Sequence, residues 1–294
     1  MAKRNRKNIM FSTRKQSMSS ETKRFFGVFF VCVAVVLSVS CLAILSKYDF
    51  NVRSAVSGEA ETQTTTEVQE TVIPEIHADK KYLFWCAAED RQSMHFAWIV
   101  NVKMPERELM IYTLKPETVA QVNGGAMSLE NVYAKLGEAE LAKAVESVSG
   151  VALDGYIGSD DDSFKNMINY FGGVDVTVPE QVEYKGDGLT LLLIKGKQSM
   201  KGDTLFKYLK YIGTLGAKSS SMQANVLGAV FEHIFRPSYV NKSTAIFSKI
   251  SNTLRTDLTI VDYSRAEKAA HIIMENGFNS VKSVVSPEEF AAED

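Results

Sequence analysis

Ser163-Phe164-Lys165-Asn166-Met167-Ile168-Asn169-Tyr170-Phe171-Gly172-Gly173-Val174-Asp175-Val176-Thr177-Val178 changes its hydrophobic period half-way along. Phe164, Met167, Ile168 and Phe171 recur at helical spacing, which predicts a helix over residues 163–171. Gly172-Gly173 then stops it, because glycine takes the left-handed backbone beyond a helix C-terminus without steric cost. After the stop, Val174, Val176 and Val178 alternate with Asp175 and Thr177, the period of a strand with one buried face. A helix feeding directly into a strand is the repeating step of α/β proteins.

The same alternation extends to both sides. Upstream, residues 82–87 read as a buried strand, and 96–103 and 108–114 as two strands joined at Pro105-Glu106-Arg107. Ser128 is a candidate N-cap for a helix reaching about residue 149, with Leu129, Val132, Tyr133, Leu136, Leu141, Val145 and Val148 on one face. Residues 153–158 form a short strand, and Asp160-Asp161-Asp162 reads as a capping cluster rather than a hard-cation site. Downstream, 189–194 is a continuous apolar run, a buried strand or an apolar wall. Asp203 is placed to cap a helix over 204–211, and further helices are expected at 220–235, 243–254 and 262–276. The fold class that results is α/β: a three-layer-like α/β/α sandwich with a mixed central sheet, over about residues 81–285.

The flanks have another character. Residues 1–24 carry eight Lys or Arg against one acid, Glu21. Residues 25–45 then run without an ionisable side chain other than Cys32 and Cys41. As a helix this run is about 31 Å long, the thickness of a bilayer core. The cations before it predict one transmembrane helix with its N-terminus in the cytoplasm and the domain outside. The run exceeds a cleaved signal's core of about 7–15 residues, and Ser38-Val39-Ser40 before Cys41 lacks the aliphatic residue of a lipoprotein signal. Residues 46–80, rich in Thr and Glu, read as a flexible stalk, and 286–294 as an acidic tail. Net charge is −2, and the folded part lies across the membrane from DNA, so no nucleic-acid partner is expected. Cys86, inside an apolar run, reads as an inert buried thiol. No Walker A loop, Gly-x-Ser-x-Gly elbow or His-Glu-x-x-His motif occurs, and the four histidines lack metal-ligand spacing.

Three blocks carry a family resemblance: Gly150-Val151 through Pro179, which contains the opening stretch; Ile194-Lys195-Gly196-Lys197-Gln198-Ser199-Met200-Lys201-Gly202-Asp203-Thr204-Leu205, running into Tyr208-Leu209-Lys210; and Gln223-Ala224-Asn225-Val226-Leu227. In this order the chain resembles the LytR-CpsA-Psr family of bacterial cell-envelope proteins. The resemblance implies transfer of a glycopolymer from polyprenyl pyrophosphate to peptidoglycan. It implies cations for the pyrophosphate, carboxylates for Mg²⁺ and an apolar groove for the lipid.

On that alignment Glu89, Asp90 and Arg91 retain an acid and an arginine of the family's first site turn. Glu89 and Asp90 are the candidate metal ligands, and Glu89, Arg91 and Lys210 the candidate catalytic residues. The family's Arg-Ser-Asp-Thr block falls on Ser93-Met94-His95-Phe96, without its arginine and aspartate. Lys115 and Glu117 stand at its Pro-Arg-Asp block. Lys210 and Ile212 replace two arginines, and Ser219-Ser220-Ser221-Met222 precedes a retained Gln223. Lys115, Glu117 and Gln223 are therefore candidate substrate contacts, and Leu191, Leu193, Val226 and Val230 the candidate lipid groove, with core packing as their default reading. The missing arginines favour a divergent member that binds polyprenyl-linked glycopolymer or a wall partner without the full catalytic equipment. The alternative is an active phosphotransferase.

Overall fold

The structure, a computed structural model, describes residues 76–186 and 188–290. The basic tail, the apolar segment 25–45, the stalk up to residue 75 and the last four residues lie outside the described residues. Among the described residues no helix is long and apolar enough to cross a membrane.

Strands β1 (Ala78–Ala87), β2 (Met94–Met104) and β3 (Glu108–Leu114) form an antiparallel meander. A small hairpin follows, β4 (Val119–Val122) and β5 (Gly125–Ser128), turning on Asn123-Gly124, both at positive φ as such a tight turn requires. Helices α1 (Leu129–Leu136) and α2 (Glu138–Ser149) lead to β6 (Gly155–Asp160), α3 (Asp161–Tyr170) and β7 (Val174–Val178). A second hairpin, β8 (Val182–Gly186) and β9 (Leu189–Leu193), precedes β10 (Gly196–Met200), α4 (Gly202–Gly213) and α5 (Ser219–Ile234). The domain closes with α6 (Ser243–Thr253), β11 (Arg255–Thr256), α7 (Ile260–Asn276) and β12 (Ser280–Val284).

The central sheet has the order β11-β6-β1-β2-β3-β12. β1 with β6 and β3 with β12 are parallel and the other neighbours antiparallel, so the sheet is mixed as expected. Cys86, Phe96, Trp98 and Val100 pack on one face with Ile168, Leu205, Phe206 and Val226 from α3, α4 and α5. Leu83, Trp85 and Ile99 pack on the other with Leu129, Val132, Tyr133 and Leu141 from α1 and α2. Each fully buried large apolar side chain contributes about 1.5–3 kcal/mol, so two covered faces make this sheet the stabilising layer of the domain.

The blocks quoted from the sequence meet here. Gly172 and Gly173 have φ of 85° and 99°, and a Cβ on Gly173 would fall 2.8 Å from the Met200 carbonyl oxygen. β7 pairs with β10 from Val174 opposite Met200 to Val178 opposite Gly196. Lys201 Nζ donates to the Gly172 carbonyl (2.7 Å), and the Gly202 N–H donates to Asn169 Oδ1 (2.9 Å). A Cβ on Gly202 would lie 2.1 Å from the Lys165 carbonyl oxygen, so α3 and α4 touch backbone to backbone there.

Several local expectations are corrected. The helix expected through residue 149 breaks at Gly137, whose φ is 86°, and Ser128 precedes α1 without a capping bond because its Oγ accepts from Asn131 Nδ2 instead. Lys201, not Asp203, occupies the N-cap of α4, and Asp203 pairs with Lys207 one turn on (2.7 Å). The run 189–194 alternates: Leu191 and Leu193 are buried while Leu192 and Ile194 are exposed, because its two-stranded hairpin has only one face covered. β1 begins at Ala78, opposite Met104, three residues into the expected stalk. Phe290 of the expected acidic tail is buried in the second core, and Glu289 accepts from the Val285 and Ser286 N–H groups (both 2.9 Å). β4, β5, β8, β10, β11 and β12 have no counterpart among the expected strands.

Candidate functional site

Pairing places the ends of β1, β3 and β6 at one edge of the central sheet. Ala87 lies opposite Asp160 and Met94, and Leu114 opposite Ala97. In open α/β sheets ligands bind beyond the carboxyl ends of strands, where loops diverge. The loop after β1 holds Glu89, Asp90 and Arg91, and the link after β3 holds Lys115 and Glu117.

At this end the β1–β2 ladder contains a bulge. Cys86 pairs with Phe96 and Ala87 with Met94, which leaves His95 without a partner strand residue. A bulge re-aims a side chain, and bulges concentrate beside active sites. Here His95 joins Phe96 on the face covered by α3 and α4: its ring meets Phe206 edge-on at 5.3 Å, and Phe96 meets the same ring at 5.9 Å. His95 Nε2 lies 2.8 Å from Asp161 Oδ1, in the first turn of α3. Asp160 supplies the cap of that helix, accepting from the Ser163 N–H (2.8 Å), and so leaves Asp161 for His95. Lys165, one turn beyond Asp161, sets its Nζ 4.8 Å from the Phe206 ring centre, and Lys210 of α4 sets its Nζ 5.6 Å from the same centre. His95 is thus flanked by a carboxylate and two ammonium groups on an aromatic floor.

Burial pushes the His95 imidazole below its ordinary pKa, and the charges of Lys210 and Lys165 act in the same direction against Asp161. The ring is therefore neutral at pH 7. Asp160 is also held below the usual carboxylate range: against burial, which raises it, the Ser163 bonds and the charge of Arg255 prevail. Burial pushes the Cys86 thiol up to about 12, which agrees with an inert thiol.

The residues expected from the sequence divide into groups. Lys210 belongs to the His95 cluster. Arg91 does not: at a φ of 61°, its guanidinium stands over Tyr133 (5.6 Å), with Nη2 3.4 Å from Glu138 Oε1. Arg255 of β11 reaches the same oxygen at 3.5 Å. Glu89 is exposed, and Asp90 Oδ1 accepts from the Gln92 N–H (2.9 Å) in a local turn. Among the described residues no three His, Cys, Asp or Glu side chains converge. Lys115 and Glu117 are exposed in a turn closed by the Thr118 N–H on the Lys115 carbonyl (2.9 Å). Gln223 is buried with both amide ends engaged: Oε1 accepts from Trp98 Nε1 (3.2 Å), and Nε2 donates to Ser219 Oγ (3.3 Å). That geometry ties α5 to β2. Leu191, Leu193, Val226 and Val230 share one core cluster and are at most 7 % exposed, so in this conformation they pack against one another.

His95, Asp161, Lys165 and Phe206 are not among the candidate site residues expected from the sequence, where Asp161 reads only as part of a capping cluster. Asp161 and Lys165 stand four residues apart, one helical turn. The bulge that brings His95 to them leaves no mark in hydrophobic periodicity.

Comparison with known proteins follows the same lines. Over 176 residues the chain is 24 % identical to the polyisoprenyl-teichoic acid–peptidoglycan teichoic acid transferase TagV of Bacillus subtilis, a match covering 56 % of this chain and 44 % of the relative. The chain therefore matches less than half the length of that relative. The crystal structure of B. subtilis TagV superposes with a TM-score of 0.58 at 20 % identity, covering 71 % of this chain and 85 % of that one. TagT bound to LI-WTA superposes with a TM-score of 0.53 at 18 % identity, covering 70 % and 78 %. At these identities the superpositions establish the fold. The LytR_cpsA_psr family model matches residues 97–290, two thirds of the chain, with the glycine blocks, Asp161, Lys165 and Lys210 inside it and β1 and His95 before its start, and the chain belongs to that family.

Proposed function

We propose that this is a divergent LytR-CpsA-Psr protein of the bacterial envelope that binds the phosphate head of a polyprenyl-linked glycopolymer at the His95 end of the sheet. Segment 25–45 anchors it in the plasma membrane, with the basic tail in the cytoplasm and the domain outside, where such a precursor and peptidoglycan are met. The observation that carries the reading is the convergence of Lys165 and Lys210 on the Phe206 ring beside His95. Two ammonium groups over an apolar floor suit an anion whose other end is hydrocarbon. The names of its relatives support the same chemistry: one is a polyisoprenyl-teichoic acid transferase, and another was solved bound to LI-WTA. Lysines acting as point charges replace the family's bidentate arginines, and each lost charge-assisted contact costs about 1.5–3 kcal/mol, so binding is weaker than the family pattern implies.

Full-length protein in lipid nanodiscs, titrated with a synthetic prenyl-pyrophosphate disaccharide, tests this. Lys165→Ala and Lys210→Ala should each weaken binding about tenfold, the equivalent of roughly 1.4 kcal/mol. Unchanged affinity in the double variant would remove the basis of the proposal.

The second reading, transfer of the glycopolymer to peptidoglycan, is favoured by one observation. His95 and Asp161 form a hydrogen-bonded imidazole–carboxylate pair beside the two cations.

A further inference from the structure

We infer that His95, oriented by Asp161, is the group that takes the proton from the acceptor hydroxyl when it attacks the glycopolymer-linked phosphorus. This rests on the transfer reading above and assigns the task to an imidazole held in place by a carboxylate.

The geometry argues for it in three ways. The bulge leaves His95 outside the β1–β2 ladder and turns its ring towards α3 and α4. Nε2 bonds to Asp161 Oδ1 at 2.8 Å, which makes Nε2 the protonated nitrogen and Nδ1 the one with a lone pair. Nδ1 has no hydrogen-bond partner among the described residues, and the side chain retains 12 % exposure. An imidazole fixed at one nitrogen by a carboxylate and open at the other is arranged as a general base.

The charged groups facing the ring are Asp161 and Lys165 from α3 and Lys210 from α4. Burial, helped by the charges of Lys210 and Lys165, disfavours the imidazolium before reaction, and the two ammonium groups are placed to receive the phosphate. Of the nearby carboxylates, Asp160 caps α3, Asp90 closes its own turn and Glu138 holds Arg91 and Arg255.

The step balances. The hydroxyl oxygen forms a bond to the phosphorus that carries the glycopolymer. The bond from that phosphorus to the bridging oxygen breaks, and polyprenyl monophosphate leaves with the electron pair. The hydroxyl proton passes to His95 Nδ1 and from there to solvent. Asp161 is a positioning residue, since it acts on the substrate only through His95.

The test uses the full-length chain in nanodiscs, a prenyl-pyrophosphate disaccharide as donor and peptidoglycan strands as acceptor. Single-turnover transfer and donor binding are followed from pH 5 to 9. His95→Gln should lower transfer about 100-fold or more with donor affinity within about threefold of wild type. Wild-type transfer should fall on the acid side as His95 takes a proton. Asp161→Asn removes the charge that favours the imidazolium, so it should move that acid limb to lower pH while reducing the maximal rate. A structural pairing of His95 with Asp161 predicts no displaced limb, and that result overturns the inference even if His95→Gln fails to fold. Transfer within about threefold of wild type in folded His95→Gln also overturns it, and leaves the transfer reading standing. Donor binding with no wild-type transfer overturns both the inference and the transfer reading, while the binding proposal survives. Absence of donor binding overturns the binding proposal itself.

Discussion

His95 illustrates how one residue can be ordinary in sequence and particular in place. In the chain it is a lone histidine before an apolar strand. In the fold it is the unpaired residue of a bulge, bonded to Asp161 and set edge-on against Phe206. Its pKa is lowered in the folded state, chiefly by burial. The unfolded chain therefore takes up the proton first as pH falls through about 6.5, and the domain loses stability on the way down. Urea unfolding at pH 7.5, 6.5 and 5.5 should show a decline that is shallower in His95→Gln. Equal slopes would mean that the imidazole is not buried as described. Asp160 and Glu108 are held below their usual range, so their stabilisation is present above about pH 4 and is lost only below it, in a separate window.

Among the elements, the joint between α3 and α4 decides the geometry of the site. Gly202 opens α4 against the backbone of α3, where a methyl group would sit 2.1 Å from the Lys165 carbonyl oxygen. That atom is backbone and cannot rotate away. Gly202→Ala should therefore push the helices apart and cost about 2–4 kcal/mol in thermal or denaturant unfolding, at the upper end of overpacking effects. Lys165 lies on one side of this joint and Lys210 on the other, so the same variant should weaken pyrophosphate binding measured by calorimetry. A variant with wild-type stability would show that the two helices do not touch there. Gly202 lies in one of the family blocks, and its contact with the Lys165 backbone is the physical reason for a glycine there.

For the whole molecule, two cores on one sheet hold the site edge. The second core is closed by Phe290, which is 3 % exposed and packed with residues of β1, α1 and α2. Phe290→Ala should cost about 3–5 kcal/mol, the range for deleting a buried aromatic side chain, and show as a lowered urea midpoint. A loss below about 1 kcal/mol would place the chain end outside the core. The acidic composition of Pro287-Glu288-Glu289 hid this anchor, because polarity of neighbours says nothing about where one aromatic ring packs.

The helix–glycine–strand step, the order of strands and helices, and the family blocks were legible in the chain because backbone preference and hydrophobic period are local properties. Lys210 was legible as a surviving cation in a family position. The mixed order β11-β6-β1-β2-β3-β12 depended on long-range pairing, as did the small strands whose partners lie elsewhere. The candidate site was the least legible part. Arg91 turned to Glu138, Gln223 was consumed by Trp98 and Ser219, and the expected lipid-groove leucines and valines filled the core. His95, Asp161, Lys165 and Lys210 come from three elements and meet only because one extra residue in β2 breaks the ladder and a glycine lets two helices close. Sequence alone determined which groups were available to bind a phosphate. Tertiary structure decided which of them share a surface, because that depends on register and close packing between segments far apart in the chain.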